Sequence, residues 1–292
     1  MAQNRKTQTK TIITFLLPSM LLMCLFFLGP ILITLYFSFT DMTLVGAAST
    51  HTTFVGFKNF INMFTDPGFR TSLIKTIIFL VASAIIGQQV LGFLLAYLMK
   101  GKSKNARRIF GISVLAGWVA PEIVASFIWI SYLDYDGTLN MFLSKIGLDP
   151  VAWLLSFPMV SIVIANIWKG TAFSMMVFES ALGNIPSEVE EASVVDGANA
   201  FQRLFHIIIP MLKNTVVTNI ILITLQTIGA FGLVYAMTGG GPGMATQTLP
   251  IFMFKQAFVS YQIGYGTAIS LFMLVIGIVI SLFYIKLLKS EI

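Results

Sequence analysis

Chemistry-bearing side chains are sparse in this sequence, and their spacing limits what they can do. Gly101-Lys102-Ser103 matches the tail of a phosphate-cradling loop, G-x-x-x-x-G-K-[ST]. The first glycine of that pattern should fall at position 96, which is Ala96, and an apolar run precedes it where the motif needs a buried strand. The segment therefore reads as a basic loop, and the chain carries no nucleotide site of its own. Gly239-Gly240-Gly241-Pro242-Gly243 is followed by neither a lysine nor a helix start, so it reads as a turned or flexible loop. His51 and His206 are separated by long apolar runs that put them on opposite sides of a membrane, so they make no metal or catalytic set. The single cysteine, Cys24, lies in an apolar run and can form neither an intrachain disulfide nor a cysteine metal site. No Ser-His-Asp or paired-carboxylate arrangement survives the same separation. The chain does not read as an enzyme, and it implies no cofactor or metal.

Three ionisable residues do fall inside apolar runs: Glu122, Lys169 and Glu179. Charge within a bilayer is costly and by default marks a solute pathway or an ion pair. Glu179 lies near the end of its run and reads as an interfacial acid. Glu122, next to Pro121, reads equally as a structural acid or a pathway group. Asn166, Lys169, Gly170 and Phe173 are spaced i, i+3, i+4, i+7 and share one helix face. That face offers an amide, a cation, a gap and an aromatic ring, a set suited to a polar ring-shaped solute. A small polar stripe serves helix packing equally well, and spacing alone leaves both open.

The elements that must hold these residues are membrane helices. Of 292 residues, 57% are hydrophobic and only 10% charged, with a mean hydropathy of +0.87. A soluble domain is typically about 25% charged. Six stretches are long enough to cross a bilayer: Phe15–Phe39, Leu73–Met99, Ile109–Leu133, Phe157–Leu182, Ile207–Met237 and Gly264–Leu288. Pro121, Pro158 and Pro210 interrupt the third, fourth and fifth. The first stretch lacks a small-x-small cleavage pattern and reads as a retained anchor. With the N-terminus inside, twelve Lys and Arg residues, led by Arg5, Lys6, Lys10 and the Lys100–Arg108 cluster, fall on the cytoplasmic side. Only Lys58, Arg70, Lys75, Lys145 and Lys255 fall outside. The positive-inside rule then puts both termini in the cytoplasm. The modest basic excess needs no nucleic acid to explain it. The expected organisation is an all-α polytopic protein: a tail over 1–14, a single membrane domain over 15–292, external loops at 40–72 and 238–263, and a cytoplasmic loop at 184–206.

That cytoplasmic loop is a polar insert between spans four and five. Ser187 and Glu190 predict a capping box, and Asp196-Gly197 a helix stop, because glycine takes the left-handed conformation readily. Val189, Ala192 and Val195 form a narrow apolar stripe, and a second helix begins near Asn199. The segment reads either as a plain link or as a docking helix for a cytosolic partner.

Glu191-Ala192-Ser193, Asp196-Gly197-Ala198, then Ile208 and Pro210, resemble the E-A-A, G and I-x-L-P signature of ABC importer permeases, with Ser193 and Ile209 as mild departures. "FLLPSMLLMCLFFLGPILITLYFSFTDM", "FVGFKNFINMFTDPGF" and "FGLVYAMTGGGPGMATQTLPIFMFKQAF" are similar to the carbohydrate-uptake branch. The resemblance implies that the insert is a coupling helix, with Glu190, Glu191, Ala192, Asp196, Gly197 and Ala198 engaging an ATPase subunit. It also implies solute contacts at Asn166, Gly170 and Phe173 on span four and at Gln226, Thr227 and Ala230 on span five. Lys169 has no charged counterpart in the resembled maltose permease subunit.

The expectation is thus a multi-pass permease subunit in a bacterial cell membrane, importing a sugar or sugar-like solute. Its partners would be a second related permease, two ATPase subunits that hold ATP and magnesium, an extracytoplasmic solute-binding protein and membrane lipid. The alternative is a stand-alone secondary transporter or channel. Against it, the two halves show no convincing repeat and the buried charges are scattered. A scaffold without transport would explain the insert but not the polar face of span four.

Overall fold

The computed structural model describes the backbone of residues 2–289 and the side chains of 13–286. The side chains of Arg5, Lys6, Lys10 and Lys289, which carry part of the charge argument, lie outside the described residues. Within them the chain is helical, with a single isolated β-bridge between Thr40 and Phe54. Four helices are unbroken and apolar enough to cross a membrane: Ile13–Ser38, Pro67–Met99, Pro158–Gly183 and Ile263–Lys286. Two further candidates are helix pairs bent at a short break; with each pair counted as one span, the total is six.

Contacts divide the chain into two compact units. The first holds residues 1–66 and 253–274, the second 67–252 and 275–292. In the first, no residue of span one's apolar window is buried, and Cys24 is exposed there. The loop after it is ordered by specific bonds. Asn59 donates to the carbonyls of Ser38 (2.9 Å) and Thr40 (2.8 Å), and Gly264 N–H donates to Met42 O (2.8 Å). A Cβ on Gly264 would overlap Thr40 O, so only glycine permits this approach. Asp41 accepts both the backbone N–H and the hydroxyl of Thr53, each at 2.6 Å. Those bonds favour the ionised form and hold the Asp41 carboxyl below the usual carboxylate range.

The second unit is built on span four. Its buried Ile162 and Ala165 join Phe79, Ala125, Leu133, Leu233 and Ile251 in one core cluster, while Met175, Phe178 and Leu182 join Ala96, Ile208 and Leu212 in another. Spans two and four cross where Gly92 meets Ser174, so closely that a Cβ on Gly92 would collide with Ser174 and the backbone of Met175. Small residues at a crossing let backbones approach, and this is how apolar helices gain dispersion contact in a lipid setting.

Several boundaries differ from those expected. Span two begins at Pro67, six residues before the expected Leu73, because proline suits a first helical turn and carries Arg70 and Lys75 into the helix. Span three is not one helix: Lys104–Val119 and the stretch from Glu122 meet at 103°. Span five bends by 67° between Ala200–Met211 and Lys213–Ile228, two residues past Pro210, and breaks again before Gly232–Thr238. The stretch 238–263 is not a plain loop either. Residues 249–252 are buried in a short helix, Leu249–Phe254, whose Ile251 enters the core. Its first N–H is satisfied by the Thr76 hydroxyl (2.8 Å). The glycine-rich turn ahead of it is tight: Thr246 Oγ1 bonds Thr238 Oγ1 (2.7 Å) and Gly241 O (3.0 Å). Between spans three and four, buried Asn140 donates to the carbonyls of Asp134, Tyr135 and Val151 and accepts from Val151 N–H and Trp153 Nε1. One amide thereby orders the loop.

Candidate functional site

Three features meet the sequence expectations most directly: the segment between spans four and five, the polar face of span four, and the breaks in spans three and five.

The segment opens with the helix Ser187–Val195. Ser187 is its first residue and Pro186 its cap, so the expected capping box does not form there. Glu190, freed from that role, pairs with Lys100 in the turn after span two. The capping box forms one helix later, where Asn199 accepts from Gln202 N–H (2.8 Å) and the Gln202 side chain accepts from Asn199 N–H (2.9 Å). The helix stop is at Gly197, as the sequence indicated. Its φ is +80°, and the bonds Gly197 N–H to Val194 O and Ala198 N–H to Ser193 O, both 3.0 Å, close a Schellman turn. Ser193 is buried, whereas Val189, Glu191, Ala192, Val194, Val195 and Asp196 are exposed, Val195 at 86%. Beyond the turn, the exposed rings of Phe201 and Phe205 lie 4.4 Å apart, tilted by 41°. The result is a short helix held to span two by one ion pair, locked at its end, with an apolar surface turned outward. A second ion pair, Arg107 to Glu179 (Nε to Oε1, 3.2 Å), joins the starts of span three and the end of span four, which accounts for the acid at 179.

The face of span four divides between two neighbours. Asn166 Nδ2 donates to Ser83 Oγ (2.8 Å), and Gln88 Nε2 donates to Asn166 O (3.1 Å). The Gln88 side chain fills the gap over Gly170, leaving no room for a Cβ. Lys169 and Phe173 instead face the break in span three. Lys169 Nζ donates to Ala120 O (2.8 Å) and Trp118 O (3.4 Å), and the Phe173 ring lies 6.3 Å from that of Trp118. These carbonyls close the helix Lys104–Val119, where the i+4 donors run out and the helix dipole is negative. A lysine supplies what a proline-terminated helix in a membrane lacks. Glu122 does not pair with Lys169; it opens the next helix, with its Oε2 against Gly232 at the start of the last segment of span five. Ser126 Oγ, bonded to Glu122 O (2.7 Å), packs beside Leu233 O, so the two broken spans lie side by side. On span five Gln226 is exposed, Thr227 buried, and Ala230 half-buried against the core cluster.

Sequence reasoning missed the glutamine pair Gln88-Gln89 inside span two. Gln89 Nε2 donates to Val216 O (2.8 Å), and Asn219 donates to Gln89 Oε1 and to Ser174 Oγ (2.9 Å). Polar glue of this kind ties spans two, four and five. Two adjacent amides in an apolar run were the available signal.

An unbroken central helix flanked by two interrupted spans, with a locked helix projecting between spans four and five, is the arrangement of a polytopic membrane protein. Irregular backbone at membrane depth is tolerated where protein buries it or a cavity lines it. Residues 88–289 match the model of the family described as binding-protein-dependent transport system inner membrane component. The chain belongs to that family and is a membrane permease component of such a transport system. It is 31% identical to the probable ABC transporter permease protein YurN of Bacillus subtilis, over 94% of this chain and 95% of that one. It is 30% identical to the trehalose/maltose transport system permease protein MalF of Thermococcus litoralis, over 93% and 91%. A permease chain of a bacterial alginate ABC transporter, crystallised with its alginate pentasaccharide-bound periplasmic protein, shares the fold at a TM-score of 0.81. That match covers 96% of this chain and 94% of the other at 20% identity.

Proposed function

We propose that this chain forms, with a second related permease, the path by which a sugar or sugar-like solute enters a bacterial cell across its inner membrane. Two separate ATPase subunits, holding ATP and magnesium, drive it, and an extracytoplasmic binding protein delivers the solute; the chain itself holds no nucleotide. Both termini lie in the cytoplasm, and 15–292 works as the permease domain. The observation that carries this reading is the helix Ser187–Val195, whose exposed surface joins acidic residues to the apolar stripe Val189, Ala192 and Val195 and which is stopped by a left-handed glycine. Glu190, Glu191, Ala192, Asp196, Gly197 and Ala198 form the coupling surface, and its ion pair to Lys100 gives a route for motion into span two. Relatives named for trehalose and maltose support the solute class.

The solute is held beside the breaks in spans three and five. Lys169, Phe173 and Gln226 contact it, with Asn166, Gly170, Thr227 and Ala230 forming the wall behind. Lys169 also caps the helix that ends at Val119, so solute and break share one cation. The test is cysteine cross-linking from Ala192→Cys, in a Cys24→Ser background, in cells that express the whole transporter. A nucleotide-hydrolysing subunit is expected in the cross-linked product. Its absence, at normal membrane levels of the chain, would overturn the coupling assignment.

A further inference from the structure

The loop between spans one and two contains an eight-residue helix, Lys58–Thr65, whose two faces differ sharply in chemistry. At 100° per residue, Phe57, Phe60, Ile61, Met63 and Phe64 fall on one arc and Lys58, Asn59, Asn62 and Thr65 on the other. Met63 is buried and Phe60 packs on Phe39, ring centroids 5.3 Å apart. The flank of the apolar arc that runs from Phe64 through Phe57 to Ile61, however, is open: Phe57 is 69%, Ile61 63% and Phe64 60% exposed, and Phe54 beside them is 74% exposed. Lys58, Asn59 and Asn62 of the polar arc line a cavity of about 230 Å³ with Asp41, Gln262 and Tyr265.

Its height in the membrane follows from its bonds. Asn59 is tied to the carbonyl of Ser38, the last residue of span one (2.9 Å). The helix therefore lies at the level where span one leaves the bilayer. Phe64 meets Phe272 edge-on, centroids 5.7 Å apart, and Phe272 is nine residues past Ile263 in span six, about 13 Å along it at 1.5 Å per residue. One apolar edge thus reaches hydrocarbon depth while the opposite edge lines a polar cavity. We propose that Lys58–Thr65 is an interfacial helix, seated in the headgroup–acyl boundary by Phe57, Ile61 and Phe64, with its polar face toward water. Lipid is the occupant because Phe57 meets Phe39, the residue that caps span one, edge-on at 5.3 Å, and so extends the apolar surface of a span along which no window residue is buried. Aromatic side chains are favoured at that depth, and Lys58 at the border can extend to a headgroup phosphate. The anchor would fix the first loop, and the cavity it lines, at the bilayer surface. In the orientation proposed above that surface is extracytoplasmic, but the placement in lipid does not depend on which side it is.

Single nitroxide labels test this, since replacing Cys24 by serine leaves a cysteine-free chain. Labels at 57, 61 and 64 and at the polar positions 58 and 62 are compared in proteoliposomes containing the assembled transporter. Collision with oxygen should dominate at 57, 61 and 64, and collision with a water-soluble nickel chelate at 58 and 62, so the ratio inverts along one turn. All five positions accessible to nickel would overturn the proposal by placing the helix in water. So would immobilised labels at 57, 61 and 64 shielded from both reagents, which would mean a protein partner covers that face. Labels at 58 and 62 report from the same helix, so misfolding shows as a loss of the alternation within both sets and of solute-stimulated ATP hydrolysis.

Discussion

Replacing Gly197 separates conformation from size at the end of the helix Ser187–Val195. Its φ of +80° is one that residues with a Cβ adopt at a cost, yet a Cβ there would meet nothing within 4 Å. Bulk is therefore harmless and backbone strain is the whole effect. Alanine in the left-handed region costs about 1–2 kcal/mol. Asparagine visits that region several-fold more readily than most residues, and a β-branched residue is a genuine outlier there. The strain opposes the two 3.0 Å bonds that close the Schellman turn, so the strained chain trades them for a straighter exit and changes the angle at which 199–211 re-enters the membrane. A bias of 1–2 kcal/mol is a factor of roughly 5–30 in the population of the coupled conformation. Solute-stimulated ATP hydrolysis in proteoliposomes holding all subunits should therefore fall slightly for Gly197→Asn, about 5–30-fold for Gly197→Ala and further for Gly197→Val. Basal hydrolysis by the ATPase subunits should not follow that order. Asparagine is larger than alanine, so an outcome in which Gly197→Asn is worse than Gly197→Ala would refute the reasoning. Equal activity in all three would do the same.

Three further perturbations follow from the same geometry. Glu190→Lys should weaken solute-stimulated hydrolysis, and the double exchange with Lys100→Glu should restore much of it; the pair is about one-third exposed, so its direct worth is about 0.2–1 kcal/mol and the readout is coupling, not melting temperature. Gly92→Val should destabilise the spans two–four crossing by about 1–3 kcal/mol, seen as a lower thermal midpoint in detergent, whereas Ile77→Val on an exposed face of span two should not. Asp41, whose carboxyl is held low chiefly by the Thr53 hydroxyl and then its N–H, stabilises the loop wherever it is ionised. That contribution is complete above the ordinary carboxylate value and is lost as pH falls through the depressed one, below about 4. Loop proteolysis at 41–53 should therefore stay slow at pH 5, and Thr53→Val should move its onset to higher pH.

The sequence by itself determined the membrane class, the position of the insert and its glycine stop, because each is written in local hydropathy or in a single residue's backbone preference. The left-handed Gly197 needed no tertiary partner to be legible. What only the tertiary structure decided is where the polar groups spend their hydrogen bonds. By its sequence Lys169 is a solute-pathway group or half of an ion pair, yet it caps carbonyls some 50 residues away that are left open only because span three breaks at Pro121. Ser187 looked like a cap until proline took that place and left Glu190 to meet Lys100. The burial of 249–252 and the closing of Gln88 over Gly170 were equally invisible, since both depend on which distant helix arrives at that point. Hydropathy selects a phase, whereas an orphaned carbonyl or a missing Cβ selects a neighbour, and only the packed chain supplies one.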